Sequence, residues 1–382
     1  MKKILVIHNK YKLVGGEDIA VDNEILFLKR FYEVQTLFFE NKTNNPFLQF
    51  FYFLINKNLK SKRILREKLN SFSPDVVYVH NTWFKASISI FKLLKQLDVK
   101  TIIKVHNFRY YCTRYYLEKN HLDGELSCKA CGLKKSKNFI NKYFDESFIK
   151  SLIVVRYGKK YFNIIKDFNF KLLVLTNFHK NYLMELGFNK ENIEVLRNHI
   201  EITNEKKVSN TENYLVYAGR ISEEKGLEEL INSFLESNLD NTKLKIVGEG
   251  PKSKNLIDKY GSNKNIEILG KLENKEVLDL IRGSLAVVTG TKLFEGQPTI
   301  LCEASMLSVP SIFPDSGGIK EFYPESTRLS FESNNFKQLT EKINLLSNKK
   351  IVFEESRNNN LYIKKLLDSN LIKKQFEKII NE

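Results

Sequence analysis

Val287-Val-Thr-Gly-Thr-Lys-Leu-Phe-Glu-Gly-Gln-Pro-Thr-Ile-Leu-Cys-Glu303 changes character along its length. It opens on β-branched residues, crosses a polar loop holding Gly290 and Gly296, and then reaches Pro298. Proline suits the first position of a helix, because its missing N–H would have no partner there. The apolar residues that follow, Ile300, Leu301 and Leu307, have helical spacing. The stretch therefore reads as a strand ending near Thr289, a loop, and a helix over Thr299–Leu307. A strand feeding directly into a helix is half of a βαβ unit, the building block of parallel sheets.

The same alternation extends outward in both directions. Strand-like runs occur at Lys3–Ile7, Val34–Phe38, Val76–His80, Thr101–Val105, Leu172–Leu175 and Ile193–Leu196, and again at Tyr214–Ala218, Leu244–Val247, Ile266–Leu269, Ala286–Thr289, Ser311–Phe313 and Arg328–Phe331. Helical patterns lie between them at Ala20–Arg30, Ile88–Leu97, Gly226–Leu235 and Lys275–Arg282. Two series of this kind predict two doubly wound α/β domains. At 382 residues the chain is also too long for one ordinary core. The polar stretch Asn198–Asn213 is the expected join, giving domains at 1–198 and 199–357. Apolar residues from Leu361 to Ile380 predict an amphipathic helix over 358–382 that packs back on the body.

Composition narrows the function classes. Hydrophobic residues are 42% and charged residues 28%, as in globular proteins. No run approaches the ~20 apolar residues of a membrane span. The opening Met1-Lys-Lys has the look of a secretion signal, but only Ile4–Ile7 is apolar and no small-residue cleavage site follows, so a buried first strand is expected. Four cysteines, three of them in one stretch, do not make a secreted disulfide framework, and a reducing cytoplasm is expected. The net charge of +16 is carried entirely by residues 1–170, with 31 Lys and Arg against 15 Asp and Glu; residues 171–382 hold 30 of each. Such a split points to an anionic partner for the first domain.

Ligands of open α/β sheets bind beyond the carboxyl ends of the strands, which is where the chemically loaded residues fall. After the strand ending at Thr289, unpaired N–H groups at the start of the next helix favour an anion. Glu295 precedes that helix and Glu303 lies inside it. About five helical residues rise ~7.5 Å, so the two carboxylates can address separate parts of one extended ligand. In Tyr217-Ala-Gly-Arg-Ile-Ser-Glu-Glu-Lys-Gly226, Arg220 and Lys225 stand at another helix start, where cations are unfavourable unless an anion lies between them. A diphosphate would serve. The plainer readings are a loop acid and a helix acid for Glu295 and Glu303, and a solvated charge cluster with Glu223 and Glu224 for the two cations.

Gly219-Arg220…Glu224-Lys225-Gly226, Gly248-Glu-Gly-Pro251, Glu295-x₇-Glu303 and Gly317-Gly318…Glu321 occur together in this order. In that combination, across nearly the whole chain, the sequence resembles glycosyltransferase family 4. The resemblance implies a GT-B fold, with two Rossmann-like domains facing across a cleft. It also implies retaining transfer of a sugar from a UDP- or GDP-sugar to a glycan or lipid-linked acceptor. By that likeness Arg220 and Lys225 match the grip on the donor diphosphate, Glu295 the acid near the donor sugar and Glu303 the partner of the ribose. Gly296, Gln297, Pro298 and Thr299 complete the donor loop, Gly15 and Gly16 after Val14 match a glycine turn near the phosphates, and His106 in Lys104-Val-His106 matches a histidine beside the transferred sugar. No Asp-x-Asp signature is apparent, so no metal is expected in the transfer step. Asn107, His199 and Gln297 depart from the usual pattern. His80 is expected to pack in the core.

Cys128-x-x-Cys131 has the spacing of a metal knuckle, with Cys112 as a third ligand and His121 or His106 as a fourth, and a structural zinc is one reading of the stretch Arg109–Ser136. Two other functions compete with transfer. A sugar-nucleotide binder without catalysis would need Arg220, Lys225 and Glu303 but could dispense with His106 and Glu295. A nucleic-acid binder would use the basic first half, but no recognition motif of the usual modules is present. Finally, Pro46–Leu69 opens on aromatics and closes on Lys57, Lys60, Lys62, Arg63, Arg66 and Lys68, the composition of a helix lying on an anionic membrane. In the alternative, Phe47–Ile55 packs into the core and the lysines form a solvated face.

Overall fold

The structure is a computed structural model. It describes residues 1–10, 15–40, 51–52, 55, 57–83, 85–113, 121–136, 141–144, 147–202 and 213–382. Its contacts divide the chain into two compact units, Met1–His199 with Asn370–Glu382, and Ile200–Ser369.

The first unit holds β1 (Lys3–Lys10), β2 (Glu33–Glu40), β3 (Val76–Val79), β4 (Thr101–Val105), β5 (Lys171–Val174) and β6 (Ile193–Val195). They form one parallel sheet in the order β2-β1-β3-β4-β5-β6. All four residues of β3 are fully buried, as are Ile4, Leu5, Val6 and Ile7 of β1. Continuous apolar strands of this kind belong to a sheet covered on both faces. The second unit holds β7 (Asn213–Ala218), β8 (Thr242–Val247), β9 (Ile266–Gly270), β10 (Ala286–Val288), β11 (Ser311–Asp315) and β12 (Ser330–Glu332), in the order β12-β11-β10-β7-β8-β9. Read from β9, this is the 3-2-1-4-5-6 order of a Rossmann sheet. Every strand expected from the sequence is found in its place.

Two local expectations change. Pro298 is not the first helical residue: at φ −79°, ψ 91° it caps a helix that begins at Thr299 and ends at Met306. In place of one helix over 358–382 there are two, Lys349–Leu366 and Ser369–Asn381. Leu367, at φ −107° and ψ 27°, leaves the helical region, and Asp368-Ser369 favour local bonds to the backbone over helix continuation. The last helix packs within the first unit, where the Phe376 ring meets Tyr32 edge-on and Tyr78 at a tilt, and the Lys2 ammonium donates to the Ile380 carbonyl at 2.9 Å. The apolar periodicity runs through the break, which hides it from the sequence.

Within Pro46–Leu69, residues 46–50, 53, 54 and 56 lie outside the described residues, as do 203–212 of the expected join. The helix Leu59–Phe72 is capped by the Asn58 side chain and buries Ser61, Leu65, Leu69 and Phe72, one face at helical spacing. Phe51, Ile55 and Leu59 are 54%, 39% and 66% exposed.

Candidate functional site

In the second unit the winding of the sheet reverses between β7 and β10, and at such a reversal ligands of open α/β sheets bind beyond the carboxyl ends of the strands. Arg220 and Lys225 stand on the loop after β7, and Glu295, Gly296 and Gln297 on the loop after β10. The two loops meet backbone to backbone. Gly226 has φ +61°, and a Cβ there would lie 2.0 Å from the Gly290 carbonyl oxygen, so both positions need glycine. The Lys292 N–H donates to the Glu224 carbonyl at 2.9 Å, closing the contact.

That contact brings the expected side chains together. The Lys225 ammonium binds the Glu295 carboxylate, which also accepts from the Thr291 hydroxyl at 3.1 Å. The Glu295 backbone is held in turn by the Gly318 N–H, which donates to its carbonyl at 2.8 Å. A Cβ on Gly317 (φ +63°) would fall 2.6 Å from that same oxygen, which explains the glycine at 317. Arg220 is 56% exposed and bonds Glu224 at 3.1 Å, a pairing at the surface. An incoming diphosphate would compete with Glu224 for its guanidinium.

Glu303 sits on the fifth residue of the helix Thr299–Met306 and is only 6% exposed, not the surface acid of the plainer reading. Burial pushes its carboxyl up to about 7, against the opposing effect of a hydrogen bond from Asn274. A buried carboxyl of this kind is suited to accept hydrogen bonds from ligand hydroxyls. Gln297 is also buried.

In the first unit, His106 follows the end of β4. The His80 Nδ1 and His106 Nε2 atoms are 2.9 Å apart, and the rings stack with centroids at 5.2 Å. Burial, and then the nearby Lys104, His8 and His179, hold His106 well below the usual histidine range, and burial followed by His106 does the same for His80. The pair is thus neutral imidazole. Beneath it runs a buried polar network. Lys104 pairs with Glu24 at 2.8 Å, Tyr78 donates to Glu24 at 2.9 Å, and His8 meets Asp18 at 2.8 Å.

Gly15 and Gly16 start the helix Gly16–Leu28, with open space where a Cβ would be; Val14 lies outside the described residues. The Gly15 N–H donates to the Asp18 carboxylate at 2.9 Å, so this helix start already carries an acid. Asn107 donates to Glu17 at 3.5 Å, a bond an aspartate there could not make. His199 stacks on Phe27 with centroids 4.4 Å apart.

His80 is buried as expected, and in addition meets His106; the buried Asp18 and Glu24 were not singled out in the sequence. Asp18 lies two residues from the Gly15-Gly16 turn, Glu24 on the helix Gly16–Leu28 and His80 directly after β3, and only the fold pairs them with their partners. Among the described residues, Cys112, His121, Cys128 and Cys131 form one group whose ligand atoms all lie within 4.8 Å. The fourth member is His121, not His106, which is engaged with His80.

Residues 199–365 match the family described as "Glycosyl transferases group 1". The curated protein "Putative teichuronic acid biosynthesis glycosyltransferase TuaC" of Bacillus subtilis (strain 168) is 30% identical over 156 residues, 41% of this chain and 36% of that protein. The amylovoran biosynthesis glycosyltransferase AmsD of Erwinia amylovora is 28% identical over 152 residues, 37% of this chain and 42% of that protein. The matched stretches thus span less than half the length of either relative. Among solved structures, sucrose-phosphate synthase from Thermosynechococcus elongatus aligns with a TM-score of 0.72 at 14% identity, covering 100% of this chain and 98% of that one. HepE of Anabaena, solved with UDP and glucose, aligns at 0.70 and 12% identity, covering 100% of both chains. At such identities the structures show the fold, which is the two-domain Rossmann-like GT-B fold. The family match and the curated relatives support a glycosyltransferase.

Proposed function

We propose that the protein is a retaining glycosyltransferase that takes a sugar from a UDP- or GDP-sugar and passes it to a glycan or lipid-linked acceptor. The observation that carries this reading is the cluster at the reversal of the second sheet. Lys225 and Thr291 both bond the Glu295 carboxylate there, Arg220 lies on the same loop as Lys225, and the buried Glu303 follows in the adjoining helix. In this reading Arg220 and Lys225 hold the diphosphate and stabilise its charge as the glycosidic bond breaks. Glu295 orients the sugar, and Glu303 accepts from the ribose. In the first unit His106, bonded to His80, is the residue that the resemblance matches to the transferred sugar. Fold alone would not carry this conclusion. The family match over 199–365 supports it, as does the UDP and glucose held by the Anabaena relative in fold. The names of TuaC and AmsD support polysaccharide biosynthesis as the setting. The test is slow hydrolysis of a panel of UDP-, GDP- and ADP-sugars by the purified protein. Release of sugar from one donor supports the reading, and binding without turnover of any donor would favour the non-catalytic alternative.

Two protein cations at the diphosphate can take the place of a divalent ion, so transfer is expected to continue at an unchanged initial rate in excess EDTA. Rates that collapse and return with Mg²⁺ or Mn²⁺ would mean the leaving-group chemistry is assigned wrongly. A zinc ion in the cysteine cluster would act structurally, and its slow loss would show as a falling melting temperature rather than as an immediate loss of rate.

The first domain is further proposed to rest on the cytoplasmic face of an anionic membrane. No helix among the described residues is long and apolar enough to cross one. Supporting a peripheral contact, a cavity of about 470 Å³ is lined by Ile55, Leu59 and Ile88 together with Lys57, Lys62, Lys92 and Lys160. Burial, and then the charges of Arg156, Lys92 and Lys57, lower Lys160 from the usual lysine range. Each cation near an anionic surface contributes about 1 kcal/mol. Flotation with anionic liposomes is expected at low salt, weakened by high salt and by K60E/K62E/R63E/R66E, and absent with neutral liposomes. Failure to float under any condition would leave a soluble acceptor.

A further inference from the structure

We infer that Cys112, His121, Cys128 and Cys131 form a structural zinc site in the first domain. A tetrahedral zinc with Zn–S near 2.3 Å and Zn–N near 2.05 Å sets its ligand atoms about 3.8 Å apart for two sulfurs and about 3.6 Å for sulfur and nitrogen. The Cys112 and Cys128 sulfurs are 3.6 Å apart, His121 Nε2 lies 3.9 Å from the Cys112 sulfur and 3.2 Å from the Cys131 sulfur, and all four ligand atoms fall within 4.8 Å of one another. Those separations bracket the tetrahedral values. They are too long for a disulfide, which needs about 2.05 Å.

The backbone around the pair is shaped for the purpose. In Cys128-Lys-Ala-Cys131-Gly132-Leu133 the Gly132 N–H donates to the Cys128 carbonyl at 2.9 Å, and the Cys128 N–H donates to the Leu133 carbonyl at 2.8 Å. Gly132 takes φ +75°, which a residue with a Cβ adopts only at a cost, and the turn folds the two cysteines back towards a common point. The three sulfurs are buried, with Cys131 at 1% exposure, while His121 closes the group from its half-buried side. Tyr182 stands beside Cys112, placed to donate a hydrogen bond to a metal-bound thiolate, the usual outer layer of such a site.

The ion has a clear mechanical task. The stretch from the helix Arg109–Cys112 to the helix Phe148–Asp167 contains no further helix among the described residues and only isolated bridges, Ser127 with Lys134 and Lys134 with Lys142. A loop of that length needs an organiser. Cys112 follows His106 by six residues, so the ion ties the loop to the backbone that leaves β4. Because the ligands must converge, metal binding is coupled to folding of the loop.

The test is metal content and cobalt spectroscopy on the full chain, purified without a metal-affinity tag. One zinc per chain is expected, released as a mercurial reagent titrates three thiols. Cobalt exchange should produce the intense visible bands of a tetrahedral ion with thiolate charge transfer. Cys128→Ser with Cys131→Ser should lose the metal, and Cys302→Ser, which alters the buried cysteine of the second domain, should keep it. Because the double variant could fail to fold, His121→Cys provides the second arm: it should keep one zinc and strengthen the thiolate-to-cobalt bands. Absence of stoichiometric zinc after reconstitution of the folded protein, a weak octahedral cobalt spectrum, or zinc retained in the folded double variant would overturn the site.

Discussion

Lys225→Ala and Arg220→Ala are each expected to lower kcat/KM for transfer by ~10²–10³-fold, the loss seen when one preorganised donor to a developing negative charge is removed. The same substitutions are expected to weaken nucleoside diphosphate binding but leave nucleoside affinity nearly unchanged, because the proposed grip is on the phosphates. Neither change should unfold the domain. Arg220 is 56% exposed and its bond to Glu224 is a surface pair, worth little to stability. Lys225 is 26% exposed, and its loss also frees the Glu295 carboxylate. Lys225→Ala therefore carries an additional effect on the sugar, visible as a larger fall in kcat than in nucleotide affinity. Rates near normal in both variants, with melting temperatures unchanged, would remove the proposed mechanism.

Glu303→Gln separates binding from stability in opposite directions. Burial raises the folded carboxyl to about 7 from 4.5, so the neutral form is favoured by the fold. The stability linked to this group is complete below about pH 4.5 and is lost as pH rises through about 7, reaching a cost of about 3 kcal/mol in alkaline solution. Glutamine is neutral at every pH. The variant is therefore expected to match the wild type near pH 4.5 and to melt several degrees higher near pH 8, at ~2–4 °C per kcal/mol. Nucleoside binding moves the other way. If Glu303 holds the ribose as proposed, the ionised carboxylate is the better acceptor for its hydroxyls, so wild-type affinity is expected to rise from about pH 6 to pH 8, and the variant to lose both that rise and about tenfold in affinity at the upper end. Calorimetric titration and thermal melts at the three pH values check both arms. A variant less stable than the wild type at pH 8 would show that Glu303 is held by a partner rather than strained by burial.

The fold was legible because parallel strands are buried on both faces and so stand out as uninterrupted apolar runs, as Val76–Val79 and Ile4–Ile7 do. The loops after β7 and β10 were legible for a different reason. A glycine that must admit another backbone, such as Gly226 against Gly290, or one that frames a carbonyl, such as Gly317 at Glu295, leaves a mark in the sequence at a fixed distance from a strand end. Histidines leave no such mark. His80 and His106 are 26 residues apart and come from different strands, so their contact exists only once β3 and β4 are neighbours. The break at Leu367 was hidden because apolar spacing continues on both sides of it. The fourth metal ligand was undecided between His121 and His106 for the same reason as the histidine pair: chain separation says little about distance across a folded loop.

The most direct measurement is a crystal structure with the nucleoside diphosphate that the donor panel selects. The account predicts the β-phosphate between Arg220 and Lys225, with Arg220 turned away from Glu224, and the ribose hydroxyls on Glu303. A diphosphate bound elsewhere, with Arg220 still paired to Glu224 and Glu303 untouched, would contradict it.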